Sequence, residues 1–266
     1  MKFLRNITIG QYIPKESIIH QLDPRVKIMN TLILIIFVFL IDNFIGFFIL
    51  GFFLFFSIHI SKVNPKYVLK GIKPLIFIIV LTLLIHFFTT EGKILFQYGF
   101  LKITQEGILK GFFIATRLLL LVIATSWLTL TTSPISLTDG IERLLSIFKF
   151  AGIPAHEIAM MMTIALRFIP TLMEETEKIV KAQMARGADF ESGNIINRIK
   201  NVLPIIIPLF INAFHRADEL AIAMEARCYR GGEGRTHYRT LSITRRDIIF
   251  VFVAMTVQMI ALLINI

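Results

Sequence analysis

Cysteine and charge are both scarce in this chain. The single cysteine, Cys228, has no partner for an internal disulfide, and no Cys/His cluster has zinc-ligand spacing. Only 17% of the 266 residues are charged, against ~25% in an average soluble domain. No G-x-x-x-x-G-K-S/T phosphate loop occurs, so ATP hydrolysis by this chain is not expected, and there is no H-E-x-x-H pair. Gly231-Gly-Glu-Gly-Arg235 is glycine-rich but lacks a preceding strand, and reads as a flexible exit from a helix. His59 and His86 stand singly near span ends, and His156-Glu157 has no second ligand in register. What fills the chain instead is apolar: 55% of residues are hydrophobic and 25 are Phe. That excess excludes a soluble enzyme, a disordered chain and a secreted disulfide scaffold, and points to an all-α integral membrane protein.

Five spans are expected. The apolar block Val26–Ile60, interrupted only by Asp42-Asn43, is about 35 residues long and reads as a helical hairpin with short arms. Pro74–Thr90, Gly107 to about Thr131, and Ile248–Ile266 supply the other three. Basic residues decide the orientation. Lys2, Arg5, Lys15, Arg25 and Lys27 precede the first span, and Lys62, Lys66, Lys70 and Lys73 follow the second. The segment Thr132–Arg246 carries fifteen Lys or Arg. The bias places the N-terminus and the long segment in the cytoplasm and the C-terminus outside. The polar, proline-containing first 25 residues lack the apolar stretch of a cleavable signal. The net charge of +10 is therefore mostly topology, with attraction to the lipid bilayer; no nucleic-acid reader motif is present. Partial alternation on both sides of Tyr98-Gly99 predicts a small external β-hairpin.

Domain organisation follows: residues 1–131 form an N-terminal segment with four spans, 132–246 a cytoplasmic helical insert, and 247–266 the last span. Within the insert, Ser136-Leu-Thr-Asp139 resembles a helix start, and Gly152-Ile-Pro154 breaks that helix before the next begins. The second helix has a mostly apolar stripe through Ile158, Met161, Met162, Ala165, Ile169, Leu172, Thr176, Ile179, Val180 and Gln183. Glu174, Glu175, Glu177, Lys178 and Lys181 gather on its other face, Pro170 should kink it, and Gly187 suits a left-handed cap. The third helical region holds Val202-Leu-Pro-Ile-Ile-Ile-Pro-Leu-Phe-Ile211, expected as a broken helix at the interface or buried against the spans. It turns amphipathic through Ala213, Ala217 and Leu220 and ends at Ala226-Arg227-Cys228.

Two helices thus finish alike, at Ala185-Arg186-Gly187 and Ala226-Arg227-Cys228, with the arginines 41 positions apart. A small residue lets a partner backbone approach, and a guanidinium offers a rigid fork of donors for carboxylates. The plain alternative is a cation stabilising a helix C-terminus by about 0.3–1 kcal/mol. In the fourth span, Gly107, Gly111 and Ala115 make a small-residue face for internal packing or for a docked membrane protein. Arg117, about ten residues into that span, is either a functional charge, a snorkelling side chain or half of an internal pair.

Long stretches of the chain resemble the transmembrane T component of energy-coupling factor (ECF) transporters, the EcfT/CbiQ-like family. They are Leu137-Thr-Asp-Gly-Ile-Glu-Arg-Leu-Leu145, Ala165-Leu-Arg-Phe-Ile-Pro-Thr-Leu172, Lys181-Ala-Gln-Met-Ala-Arg-Gly-Ala-Asp-Phe190, Arg216-Ala-Asp-Glu-Leu220 and Glu225-Ala-Arg-Cys-Tyr-Arg-Gly-Gly-Glu-Gly-Arg235. The resemblance implies a multi-pass protein of a bacterial cell membrane, a non-catalytic subunit of an ABC-type vitamin or micronutrient importer. Its partners are two ABC-type ATPases, which would hold ATP and Mg, and a membrane-embedded S component that binds substrate. No cofactor is expected on this chain. Ala185, Arg186, Gly187, Ala226, Arg227 and Cys228 are the ATPase-docking residues carried over. Cys228 departs from the Ala-Arg-Gly form of the motif. Ile179 and Leu220, with Gly107, Gly111, Ala115 and Arg117, are candidates for S-component contact or internal packing. The alternatives are an intramembrane lipid-modifying enzyme, which needs convergent carboxylates, histidines or metal ligands at one depth, and a self-contained secondary carrier. A carrier would show ionisable or repeat-related sites at mid-membrane.

Overall fold

The computed structural model describes residues 12–98, 101–152, 154–188, 195–231 and 241–264. Two compact units are distinguished, Gly10–Gly140 with Thr240–Ile266, and Met1–Ile9 with Ile141–Arg239.

The first unit holds α1 (Pro24–Leu40), α2 (Phe44–Ile60), α3 (Pro65–Ile72), a 3₁₀ turn (Lys73–Leu75), α4 (Ile76–Thr89), β1 (Ile94–Tyr98), β2 (Leu101–Thr104), α5 (Gln105–Thr131) and α9 (Arg245–Leu263). Short polar side chains start most of these helices. Asp23, Asn43, Asn64 and Thr104 each accept from a first-turn amide of α1, α2, α3 and α5, and Pro24 and Pro65 occupy the first helical positions. Helices stand at all five expected span positions. Among the described residues, three are long and apolar enough to cross a bilayer: Pro65–Thr89, Gln105–Thr131 and Arg245–Leu263. The hairpin arms α1 and α2 have 17 residues each, about 26 Å at ~1.5 Å per residue, which is the lower limit for a span. The β-hairpin is present, with Tyr98 opposite Leu101 and a register irregularity between Ile94 and Phe96.

The core lies where α1, α2, α5 and α9 meet, around Leu34, Val38, Leu50, Leu54, Leu120, Ala124, Ala254 and Ala261. Phe48, Phe52, Phe55 and Phe56 point outward from α2, as lipid-facing residues do. Polar contacts tie α9 to α1 in parallel. Asp247 accepts from the Asp23 amide (2.7 Å), and Gln258 donates to Asn30 (3.1 Å).

Two cations cross-cap α1 and α5. Lys27, only 1% exposed, donates its Nζ to the carbonyl of Thr131, the last residue of α5 (3.0 Å). Arg117 of α5 donates to the carbonyl of Ile41, at the end of α1 (3.0 Å), and to Asp42 Oδ1 (3.1 Å). The anchors lie fourteen residues apart on each helix. Each helix therefore supplies the cation that satisfies the other's otherwise partnerless terminal carbonyl, where the helix dipole favours positive charge.

The segment before α1 is pinned to the same end. Ile13 N–H donates to the Leu130 carbonyl (3.1 Å), and His20 Nε2 reaches the Ile13 carbonyl (3.1 Å) while its Nδ1 meets Ser17 Oγ (2.7 Å). Burial lowers the His20 pKa; the bond to Ile13 opposes this, and the Lys27 charge adds to it. At Asp23, burial works to raise the pKa, but the hydrogen bonds and charge of Arg25 outweigh it and hold the carboxyl below its usual range.

The second unit holds the end of α6 (Pro134–Leu145), a 3₁₀ segment (Ser146–Ala151), α7 (Ala155–Ala185) and α8 (Ile195–Ala226). Three expectations are corrected. First, α6 starts at Pro134, not within Ser136–Asp139. Ser133 caps it, its Oγ accepting from the Ser136 amide (3.2 Å), and Pro134 suits the first position. Second, Pro204 and Pro208 do not break α8, which runs unbroken for 32 residues; packing against α7 carries it through. Third, Glu175 is not on a solvated face but turns toward α8, where it pairs with Arg216.

The His20 contacts predict a pH dependence. A lowered native pKa favours the neutral ring, so its contribution is full above the unfolded value of about 6.5. It declines as pH falls through that value toward the depressed native one, and levels off below it. Amide exchange of residues 13–22, corrected for intrinsic rates, should accelerate between about pH 7 and 5.5, and His20→Asn should remove that dependence. A pH-independent profile in the native chain would contradict the assignment.

Candidate functional site

The two Ala-Arg ends close in the same way. At the end of α7, Arg186 is the C-cap and Gly187 takes a left-handed φ of +88°. Gly187 N–H donates to the Met184 carbonyl (3.0 Å) and Ala188 N–H to the Gln183 carbonyl (3.0 Å). At the end of α8, Cys228 takes a φ of +58°. Cys228 N–H donates to the Glu225 carbonyl (2.8 Å) and Tyr229 N–H to the Met224 carbonyl (3.0 Å). Both are complete Schellman closures, with Arg at the cap and the third motif residue in the left-handed position. Cys228 thus does the conformational work of Gly187, although it carries a Cβ.

This bears on the capping alternative. Backbone amides serve the carbonyls of Gln183 and Met184 in α7 and of Met224 and Glu225 in α8, and neither guanidinium folds back to cap its own helix. Arg186 and Arg227 are exposed, and among the described residues neither forms a side-chain hydrogen bond or ion pair.

The helices α7 and α8 form an antiparallel pair. Gln183 meets Pro204, and Glu175 meets Arg216. A Cβ on Gly231, beyond the end of α8, would lie 3.9 Å from Glu157 Oε1 near the start of α7. The arginine tips therefore stand at opposite ends of the pair. The Glu175–Arg216 ion pair bridges residues 41 apart, the same interval as Arg186 and Arg227. Each arginine lies eleven residues beyond the ion-paired residue of its own helix, about 16 Å of helix on each arm. Glu175 and Arg216 are half-buried, so the pair is shielded from full solvent screening.

A second link answers a proline. Pro208 has no N–H, which leaves the Pro204 carbonyl four residues earlier without its helical donor. Gln183 Nε2 of α7 reaches that carbonyl at 3.5 Å. Gln183 stands three residues before Arg186, so the arginine-bearing turn is tied directly to the proline segment of α8.

The remaining singled-out residues fall in two groups. Ile179 and Leu220 are half-buried. Met161, Met162 and Ile169 on α7, with Leu203, Ile206, Ile207, Phe210 and Phe214 on α8, are exposed large apolar side chains. On α5, Gly107 and Gly111 face α4: a Cβ on the first would come within 2.7 Å of the His86 carbonyl, and on the second within 3.0 Å of the Phe87 ring. Ala115 is buried, and Arg117, besides capping α1, sits over the Phe113 ring at 5.0 Å. Among the described residues, no group of three or more His, Cys, Asp or Glu side chains is placed to hold a metal ion.

Gln183, Glu175 and Arg216 were not singled out from the sequence as site residues. Glu175 and Arg216 fit a polar face when each helix is read alone, and Gln183 falls at the end of the mostly apolar stripe of its helix. The available signal was the interval of 41, shared by the arginine tips and the ion pair.

Comparison with known proteins agrees over nearly the whole chain. Residues 15–238 match the CbiQ family model, described as cobalt transport protein. Proteins named energy-coupling factor transporter transmembrane protein EcfT are similar throughout. That of Thermosediminibacter oceani is 55% identical over 245 residues, covering 92% of this chain and 92% of that protein. The Clostridium kluyveri protein is 53% identical over 262 residues (98% and 97%), and the Bacillus subtilis protein 49% identical over 243 residues (91% and 92%).

Two predictions follow from the helix ends. Cys228→Gly should stabilise the α8 closure by about 1 kcal/mol, because the left-handed conformation no longer opposes a Cβ, and Cys228→Val should loosen it by a similar amount. Exchange of the Tyr229 amide reports both; a rate indifferent to both substitutions would contradict the conformational role. In a double-mutant cycle, Gln183→Ala should carry a measurable cost in the native background. Because that bond is long and exposed, the cost lies at the lower end, no more than about 0.5 kcal/mol, and it should vanish beside Pro208→Ala, which restores the backbone donor. Amide exchange along α8 is the readout, and equal costs in both backgrounds would break the link.

Proposed function

The chain belongs to the CbiQ family and is the transmembrane EcfT component of an energy-coupling factor transporter, and from that premise we propose that it couples ATP hydrolysis by partner subunits to uptake. Arg186 and Arg227 each dock in a groove on one of two cytoplasmic ABC-type ATPases, with Ala185, Gly187, Ala226 and Cys228 shaping the approach. The observation that carries this reading is the pair of identical closures, each presenting an exposed arginine, at opposite ends of one antiparallel helix pair.

The mechanism uses the geometry of the arms. The ATPases, which hold ATP and Mg, close and open, and move the two tips relative to one another. The Glu175–Arg216 pair, eleven residues from each tip, acts as the pivot, so tip motion becomes a scissoring of α7 against α8. The apolar surface around Ile169, Ile207 and Phe210 shifts beneath a membrane-embedded S component and biases its orientation. Residues 132–246 are then a coupling domain between membrane segments 1–131 and 247–266. The S component selects the vitamin or micronutrient; this chain supplies neither a substrate site nor a cofactor.

The insert and the segment before α1 are assigned to the cytoplasm, and the end of α9 to the outside. Two observations support this orientation: the basic residues gather in the N-terminal and 132–246 segments, and α9 runs parallel to α1.

The double variant Arg186→Ala, Arg227→Ala should lose ATPase capture and ATP-driven uptake in proteoliposomes. Each truncation should cost about 2–5 kcal/mol of association if its guanidinium meets a desolvated carboxylate. Lysine should rescue only partly, because the planar fork is lost. Wild-type assembly and uptake in the double variant would refute the docking role.

A further inference from the structure

A cavity of about 870 Å³ opens between α2, the turn after it, α3 and α5. Its walls are apolar and include Gly51, Phe55, Leu119 and Ile123, and its mouth carries His59 and Lys62. Two of its walls, α2 and α5, stand at span positions, so the occupant approaches from the bilayer. The volume lies within the ~300–1,000 Å³ range of sites that enclose one small ligand.

The charge at the mouth is one-sided. No Asp or Glu occurs between Asn43 and Thr90, while Lys62, Lys66, Lys70 and Lys73 cluster in twelve consecutive residues. The helix α3 is amphipathic: Val68 and Ile72 are buried, while Lys66, Tyr67 and Lys70 are exposed, and the Lys70 ammonium lies 5.4 Å from the Tyr67 ring centre. That is the composition of a helix at the headgroup level. Lys62 itself has a φ of +57°, a left-handed conformation that favours glycine. An exposed lysine is kept there, at the mouth of the cavity, against backbone preference.

We propose that this groove holds an acyl chain of one anionic glycerophospholipid, whose phosphate is received by Lys62 and His59. Lys66 and Lys70 add long-range attraction to the same headgroup. The occupant belongs to the inner leaflet if the orientation given above holds; the binding itself depends on neither that orientation nor the coupling mechanism.

The test uses the full chain in detergent, titrated with phosphatidylglycerol or with phosphatidylcholine of the same acyl chains and read by native mass spectrometry. Two variants separate headgroup from tail. Lys62→Gly removes the charge while easing the left-handed backbone. Gly51→Leu fills the groove from α2, where a Cβ meets only Leu120 at 3.5 Å. The native chain should retain one phosphatidylglycerol in preference to phosphatidylcholine. Lys62→Gly should weaken phosphatidylglycerol about fivefold, the factor expected of one basic residue at an anionic headgroup, and phosphatidylcholine, whose phosphate is balanced by its own ammonium, by clearly less. Gly51→Leu should weaken both. Equal retention of the two lipids, or phosphatidylglycerol binding unchanged in both variants, overturns the proposal. So does a photo-crosslinker at Leu69, also in the cavity wall, that captures a protein rather than lipid in the assembled transporter. Because the titration contains no ATP and no partner subunit, its failure leaves the coupling proposal standing, and the reverse also holds.

Discussion

Every helix ends in carbonyls that its own hydrogen-bond ladder cannot serve, and how those groups are satisfied organises both units of this protein. In the first unit a neighbour supplies the donor. Lys27 of α1 serves the end of α5, and Arg117 of α5 serves the end of α1. In an apolar surrounding, an unmet carbonyl or an unpaired cation is costly, so the two cations are committed to structure. In the second unit the chain closes its helix ends with its own amides. Arg186 and Arg227 stand exposed beyond those closures. The same residue type, at the same kind of helix end, is internal cement in one unit and an available contact in the other.

Long helices transmit motion only if they hold each other at defined points. The arms α7 and α8 are 31 and 32 residues long, and are joined by the Glu175–Arg216 pair and the Gln183–Pro204 contact. The second contact gives the prolines of α8 a physical role. Pro208 removes a donor inside its own helix, and the freed carbonyl becomes an acceptor for the neighbouring one. A defect in local hydrogen bonding is thereby converted into an interhelical bond close to Arg186.

The sequence made some of this legible and hid the rest for physical reasons. Apolar runs separated by polar turns marked the five positions where helices stand, three of them long and apolar enough to cross a bilayer, because an apolar surrounding leaves a signal along contiguous residues. Tyr98-Gly99 marked the β-hairpin and Gly187 the left-handed closure, because both are local. The prolines at 204 and 208 misled for the same reason: their local tendency is to break a helix, and the tertiary contact that carries the helix through them is not local. Ser136–Asp139 looked like a start, but Ser133 with Pro134 makes a better one. Glu175 was placed only on the face opposite the apolar stripe, and its pairing with Arg216 emerged when their helices came together; the strained backbones of Lys62 and Cys228 left no compositional trace. Arg117 was recognised as an anomaly, but its partner at the Asp42 turn is 75 residues away.

The most direct measurement is the structure of the assembled transporter at a resolution that places side chains. The account predicts that the Arg186 and Arg227 guanidinium groups lie within hydrogen-bond distance of carboxylates in grooves on two different ATPase subunits. Finding either group directed into lipid or open solvent, away from any ATPase, would contradict it.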